Sequence, residues 1–253
     1  MADKRTILEG VGDNQQTYFA HETTSFENKG SRTMRPLFPF VISGGKNTER
    51  YYFRHISDTT IYKFNVVPEY FGMESGYTEI FPNRIKKILK ENPDAQIFCV
   101  FDWDTVRGNK KNLEKHQSFV NQFKTEIDSG IVVVCPSMPS IEYWFLLHFE
   151  NYTDLITSCG RKMQTLLTPY MMPYFPESKK KLLNLLKSEE YIKKSEWVEK
   201  LCVDGKLDTA IKRAEDNINV AITAGELENQ SYSFVYKVFK MSNSLCPIST
   251  KAS

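Results

Sequence analysis

The segment QIFCVFDWD, residues 96–104, is an apolar run that ends in two aspartates two positions apart. An uncharged run of this kind is typical of a strand buried on both faces of a parallel sheet. Ligand sites of such sheets lie beyond the carboxyl ends of the strands. If the backbone stays extended, Asp102 and Asp104 point to the same side, and both carboxylates could bind one hard cation such as Mg²⁺. The structural alternative is that Asp104 caps a helix and Asp102 lies in an exposed turn.

Three more apolar segments surround this one and alternate with helical patterns. They are LFPFVIS (37–43), TIYKFNVVP (60–68) and IVVVCPS (131–137). The segments 49–56, 76–92 and 109–127 have apolar residues at helical spacing. This alternation predicts an α/β fold with a mainly parallel sheet flanked by helices. After Pro139 the apolar positions recur at helical spacing, so we expect no further strand there.

The sequence divides into three parts by composition. Residues 1–35 are polar and aperiodic, which predicts a loosely held N-terminal arm. Residues 36–150 hold the alternating strands and helices, and residues 151–253 are a helical C-terminal region. This last region either caps the sheet or forms a small subdomain.

Charge and cysteine content exclude several classes of protein. Lys and Arg number 33 and Asp and Glu 31, so any nucleic-acid surface must be a local patch. The five cysteines include no C-x-x-C pair, which argues against a zinc site and a disulfide framework. The N-terminal residues lack a signal-peptide pattern, and no apolar run reaches the roughly 20 residues of a membrane span. We therefore expect a cytoplasmic protein without a membrane partner.

The segment SGGKNTER, residues 43–50, joins the first predicted strand to the first predicted helix. Its glycines permit a tight turn, and the helix N-terminus after them attracts anions, so Lys46 or Arg50 could contact a phosphate. The spacing is that of neither a P-loop nor a dinucleotide motif. Thr48 is the expected N-cap. Glu49 could reach a metal held by the aspartates, or could only interact with the helix dipole.

The segment PSIEYWFLLHFE, residues 139–150, predicts a strongly apolar helix with Glu142 near its start. A carboxylate in this position is either a charge near the helix cap or a functional acid. We expect His148, within the aromatic run, to be packed in the core.

Four segments carry a resemblance to a known family: GGKNTERYYF (44–53), FDWDT (101–105), CPSMPSIEYWFLLHFE (135–150) and NQSYSFVYKVF (229–239). Together they resemble the RloB family of bacterial abortive-infection proteins, which is related to the Toprim domains of OLD-type nucleases, topoisomerases and primases. The resemblance runs from about residue 36 to residue 245. It implies a Toprim-like sheet, a metal site of one glutamate and a D-x-D pair, and a role in antiviral defence beside an AAA-type ATPase partner.

The family's motifs can be matched to this sequence one residue at a time. Asp102 and Asp104 match the D-x-D pair, Glu49 matches the glutamate of the T-E pair, and Glu142 matches that of the P-S-x-E motif. Family members usually carry a further glutamate directly before the glycine that ends the first strand. Ser43 or Gly44 stands there in this chain.

The sequence leaves three functions open. The leading hypothesis is a nuclease that binds Mg²⁺ or Mn²⁺ through Glu49, Asp102 and Asp104 and uses Glu142 in the same catalytic site. The second is a catalytically silent subunit that binds nucleic acid or an ATPase. The third is a structural adaptor built on the C-terminal helices. Whether the substrate is DNA or RNA, and whether the chain forms a homo-oligomer, is left open.

Overall fold

A computed structural model of the chain describes residues 38–67 and 77–245, which belong to one compact unit. The predicted N-terminal arm, residues 1–35, lies outside the described residues. Among the residues that the structure describes, no helix has the length and apolar character needed to cross a membrane.

The sheet of the described residues has five strands in the order β2-β1-β3-β4-β5. They are β1 (Phe40–Ser43), β2 (Asn65–Val67), β3 (Ile97–Asp102), β4 (Val132–Met138) and β5 (Tyr232–Ser233). Strands β1 to β4 are parallel, and β3 lies between β1 and β4. The α/β class and the mainly parallel sheet are thereby confirmed, and the Toprim-like variant of this class stays a prediction.

Helices fill the connections and form most of the chain after β4. The helices are α1 (Thr48–Thr59), α2 (Tyr77–Glu91), α3 (Asp104–Arg107), α4 (Lys110–Gln122), α5 (Lys124–Asp128), α6 (Ile141–Leu147), α7 (Arg161–Met171), α8 (Leu182–Leu185), α9 (Glu189–Ile192), α10 (Glu196–Cys202), α11 (Lys206–Ala224) and α12 (Tyr236–Leu245). Short 3₁₀ turns occur at Met172–Tyr174, Val203–Gly205 and Leu227–Asn229.

Side chains of β3 alternate between two apolar layers, as expected for a strand covered on both faces. Phe98 and Val100 belong to the larger layer, which the C-terminal helices complete. Ile97, Cys99 and Phe101 belong to the smaller layer, which is covered by α2 and α4. The uncharged sequence of β3 therefore follows from burial on both sides of the sheet.

The larger layer contains residues from both sides of the predicted boundary near residue 150. The Tyr52 ring lies 5.1 Å from Phe145 and 6.2 Å from Trp197, between ring centroids. The rings of Trp144 and Phe239 stack at 5.6 Å. The sheet domain and the helical region thus share one core, and the division at 150 stays a prediction.

Strand β5 contradicts the expectation that no strand follows Pro139. It pairs antiparallel with β4, with Ser233 opposite Ser137, and the hydroxyl oxygens of these two serines lie 2.8 Å apart. The strand has only two residues, Tyr232 and Ser233. A segment this short does not produce a period-2 pattern, so tertiary pairing rather than local sequence sets its conformation.

Candidate metal centre

Four acidic side chains lie at the carboxyl ends of three adjacent parallel strands. Asp102 is the last residue of β3, and Asp104 is the first residue of α3. Glu49 lies in the first turn of α1, directly after β1, and Glu142 lies in the first turn of α6, directly after β4. Because β1 and β4 flank β3, the sheet brings the four residues to one edge.

Backbone hydrogen bonds hold this edge together. The N–H of Gly44 donates to the carbonyl of Val100 at 2.7 Å and joins the glycine turn to β3. The N–H groups of Trp103 and Asp104 donate to the carbonyls of Ser137 and Pro139 at 2.8 and 3.0 Å. The turn after β3 is therefore fixed to the connection that carries Glu142.

Asp102 is oriented by the start of α6, because the N–H of Ile141 donates to its Oδ1 at 2.9 Å. Burial raises the pKa of Asp102 well above its usual value, and the charges of Glu49, Glu142 and Asp104 raise it further. The hydrogen bond from Ile141 lowers this pKa but does not offset the other effects. The carboxyl group therefore lacks compensating positive charge.

Asp104 reaches the site in a different way from the one that the sequence predicted. Trp103 has helical backbone angles, φ −77° and ψ −25°, so the strand alternation stops at Asp102. Asp104 begins α3 and accepts a hydrogen bond from the N–H of Cys159 at its Oδ2, at 3.0 Å. Burial raises the pKa of Asp104, and Glu142 raises it as well. Asp104 is also not the N-cap, since Trp103 holds that position.

Glu49 is buried against the glycine turn. Burial raises its pKa to about 7, and the charge of Glu142 adds to the increase. A Cβ atom at Gly45 would lie 2.8 Å from Oε1 of Glu49 and closer still to Oε2. Glycine at position 45 therefore provides the space in which the Glu49 carboxylate lies.

Ser43 and Thr48 take part in the local structure of the same turn. Ser43 ends β1 and is fully buried, and its hydroxyl donates to the carbonyl of Gly45. The predicted N-cap role of Thr48 is wrong, since Asn47 precedes the helix and the Thr48 hydroxyl donates to the carbonyl of Leu186 at 2.8 Å. The Thr48 hydroxyl therefore binds the C-terminal region instead of capping α1.

For the two basic residues predicted to contact phosphate, Lys46 and Arg50, the structure shows no contact with the four acidic side chains among the interactions of the described residues. Lys46 is exposed on the turn before α1. The guanidinium of Arg50 lies 5.0 Å from the ring centroid of Tyr51, and its charge acts on Glu189 and Lys193, at α9. Arg50 thus faces the C-terminal region, and its predicted phosphate contact stays a prediction.

Lys187 is a basic residue that the sequence did not single out. It lies between α8 and α9 with an exposed side chain, and its charge lowers the pKa of both Glu49 and Asp104. The side-chain amide of Asn47 donates to the carbonyl of Lys187 at 2.8 Å. Because Lys187 and Asn47 are 140 positions apart, neither motif nor periodicity could have connected them.

The donor set suits a hydrated divalent ion rather than a closed cage. No three His, Cys, Asp or Glu side chains of the described residues are arranged to hold one ion directly. Mg²⁺ usually retains several waters and takes only one or two carboxylates as direct ligands. Asp102, Asp104 and Glu49 supply hard oxygen ligands, and their pKa values are raised by burial first and by neighbouring carboxylates second.

The comparisons with known proteins bear on the whole of this site. A family model described as RloB-like protein matches residues 40–241. The match includes all six residues predicted from the sequence and Lys187. No curated protein and no solved structure match the chain.

Proposed function

The chain belongs to the family of RloB-like proteins, and we propose that it is a Mg²⁺- or Mn²⁺-dependent nuclease. The proposed reaction is hydrolysis of phosphodiester bonds in DNA or RNA. We place this activity in the cytoplasm, in abortive infection against phage, with an AAA-type ATPase as the partner protein. A homo-oligomer is compatible with this role.

The convergence of the acidic side chains carries the proposal. At one edge of the sheet, burial raises the pKa of Asp102, and the charges of Glu49, Glu142 and Asp104 raise it further. Grouping like charges in a partly buried place opposes folding, so such groups are typical of functional sites. A divalent cation would relieve the repulsion and give the site its chemistry.

The residues of the site have separable tasks. Asp102, Asp104 and Glu49 would hold the ion, with water completing its coordination. Bound Mg²⁺ supplies stabilisation of the charge on the phosphate and a lower pKa for the attacking water. Because the pKa of Glu49 is about 7 without metal, binding of the ion would displace its proton. Glu142 increases the negative field that attracts the cation.

Ser43 supports the alternative of a catalytically silent subunit that binds nucleic acid or an ATPase. Its hydroxyl donates to Gly45 within the turn, so it does not replace the glutamate that the family usually carries at the end of the first strand. Without that carboxylate the site has one group fewer to orient the nucleophile. We therefore expect metal binding with slow or partner-dependent cleavage.

The test measures metal binding and cleavage on the same variants. Asp102→Asn and Asp104→Asn remove a charge each but keep an oxygen for the N–H groups of Ile141 and Cys159. Asp216→Asn, at an exposed position of α11, is the matched control. Mn²⁺ affinity is measured by calorimetry, and cleavage of labelled plasmid DNA and total RNA by gel assay.

We expect the two site variants to lose at least about tenfold in Mn²⁺ affinity and to lose cleavage, because each removes a charged ligand. The Asp216→Asn control should match the wild type. Equal cleavage by Asp104→Asn and wild type would refute this site as the active one. Metal binding without cleavage of either nucleic acid, with the ATPase partner present, would favour the silent subunit.

A further inference from the structure

Lys187 is fixed to the candidate metal centre by the two residues that precede Glu49. The amide of Asn47 donates to the carbonyl of Lys187, and the hydroxyl of Thr48 donates to the carbonyl of Leu186, both at 2.8 Å. Both carbonyls lie in the connection between α8 and α9. The backbone of Lys187 therefore has a defined position relative to the start of α1.

The ammonium group of Lys187 acts on the site from solvent. The backbone of Lys187 is held beside Asn47 and Thr48, directly before Glu49, and its charge acts against the burial that raises the pKa values of Glu49 and Asp104. The side chain is exposed, and it forms no ion pair with another described residue. A flexible ammonium near a metal site, without a fixed partner, is suited to bind a phosphate oxygen as a point charge.

The residues around Lys187 include further lysines, so the positive charge beside the site is not limited to Lys187. Residues 178–194 contain six lysines and two glutamates. Lys193 pairs with Glu189 at 2.8 Å, and Lys180 lies 3.8 Å from Glu190, which leaves four of the six lysines without a carboxylate in this segment. A substrate with several phosphates in a row would match such a segment, whereas an isolated phosphate would use only one of its charges.

We propose that Lys187 binds a phosphate of the substrate at the metal centre, and that the segment around it receives the adjoining phosphates of a polynucleotide. This inference rests on the proposed function. It adds that the C-terminal region binds the substrate, through Lys187. It assigns to Lys187 the phosphate contact that the sequence suggested for Lys46 or Arg50.

Three roles of Lys187 predict different results when the lysine is removed: substrate binding, a structural role, and neutralisation of the acidic site as a counter-ion. Loss of a cation beside an acidic site leaves metal affinity unchanged or increases it, because the negative field there becomes stronger. Loss of a phosphate contact weakens nucleic-acid binding and reduces its salt dependence by about one ion. A structural residue would instead weaken both kinds of binding, and a simple counter-ion would alter metal binding alone.

The experiment uses the full chain as wild type, Lys187→Ala, Lys187→Arg and Lys212→Ala. Lys212 is an exposed lysine of α11 and serves as the matched control. Mn²⁺ affinity is measured by calorimetry without nucleic acid. Binding of fluorescent DNA and RNA oligonucleotides is measured by anisotropy in Ca²⁺ at several salt concentrations, and cleavage in Mn²⁺ is followed separately.

We expect Lys187→Ala to bind oligonucleotides about tenfold more weakly and with a lower salt slope, and Lys187→Arg to restore most of the affinity. Mn²⁺ affinity should stay equal to that of the wild type or rise. The inference is overturned if Lys187→Ala binds oligonucleotides as Lys212→Ala does, if it loses Mn²⁺ binding, or if no variant binds oligonucleotides. Failure of the nuclease proposal looks different: the wild type then binds Mn²⁺ and oligonucleotide but leaves the oligonucleotide intact even with the ATPase partner present.

Discussion

Backbone N–H groups orient both aspartates of the candidate site. Ile141 donates to Asp102, and Cys159 donates to Asp104. Such hydrogen bonds favour the ionised carboxylate, yet the pKa of each aspartate is still raised, because burial and the neighbouring acids outweigh them. The hydrogen bonds thus fix the geometry of the aspartates, while the need for positive charge remains.

Glu49 should make the stability of the metal-free protein depend on pH. Burial raises its pKa to about 7 in the folded chain from 4.5, the ordinary value of the exposed group, so the folded state favours the protonated form. Its contribution to stability is complete below pH 4.5 and is lost as the pH rises through 7. We expect the free energy of unfolding in EDTA to fall by on the order of 2–3 kcal/mol across this range through Glu49. Urea denaturation at pH 5 and pH 8 measures the change.

Two variants and the addition of Mg²⁺ distinguish the contribution of Glu49 to the pH dependence of stability from the titration of other groups. Glu49→Gln should flatten the pH dependence, whereas Glu114→Gln, at an exposed position of α4, should leave it as in the wild type. Saturating Mg²⁺ should restore stability at pH 8, because it favours the ionised carboxylates. Identical pH profiles for wild type and Glu49→Gln would contradict the burial of this carboxylate.

The sequence could identify Asp102 and Asp104 because they end an apolar run, and Glu49 because it follows a glycine turn. Each of these signals is local. Lys187 has no local signal, since its relation to the site depends on hydrogen bonds from Asn47 and on the packing of the C-terminal region. Such a residue becomes visible only when the fold places distant segments side by side.

At the scale of the elements, the strands that are covered on both faces were the easiest to predict. Strands β1 and β3 fall within predicted apolar runs, and β4 extends beyond its run, 131–137, by one residue, Met138. Strand β2 is shorter than its predicted segment, because only residues 65–67 pair with β1, although Tyr62 and Phe64 are buried in the larger layer. Burial and strand pairing are separate properties, and an apolar pattern reports only burial.

The contact between α1 and the connection from α8 to α9 should contribute to stability. Thr48→Val keeps the shape of the side chain but removes the donor to the carbonyl of Leu186. A buried carbonyl without a partner costs about 1–3 kcal/mol, so we expect a decrease of that order in the free energy of unfolding. Chemical denaturation measures this change.

Thr209→Val is the control, because the Thr209 hydroxyl is exposed and donates locally, to the carbonyl of Gly205 directly before its helix. We expect it to change the free energy of unfolding by no more than about 0.5 kcal/mol. If Thr48→Val were as stable as this control, the hydrogen bond to Leu186 would not hold the two regions together.

At the scale of the whole molecule, the candidate site is drawn from both sides of residue 150. Residues 36–150 supply the four acidic side chains, and the C-terminal region supplies the N–H of Cys159 and the charge of Lys187. The larger apolar layer likewise contains residues from both sides of residue 150. Site and core therefore depend on the same packing, which is why the sequence, read segment by segment, could predict the acidic residues but not the completed site.

This shared packing predicts that residues 36–150 do not fold as an independent domain. Without the C-terminal region, the rings of Tyr52, Trp144 and Phe145 lose their contacts with Trp197 and Phe239 and become exposed to water. We expect the 36–150 fragment to lack a cooperative thermal transition by near-ultraviolet circular dichroism, whereas a fragment of residues 36–245 should melt cooperatively. A sharp transition of the shorter fragment, together with Mn²⁺ binding, would instead establish a domain boundary near residue 150 and reduce the C-terminal helices to an accessory of the site.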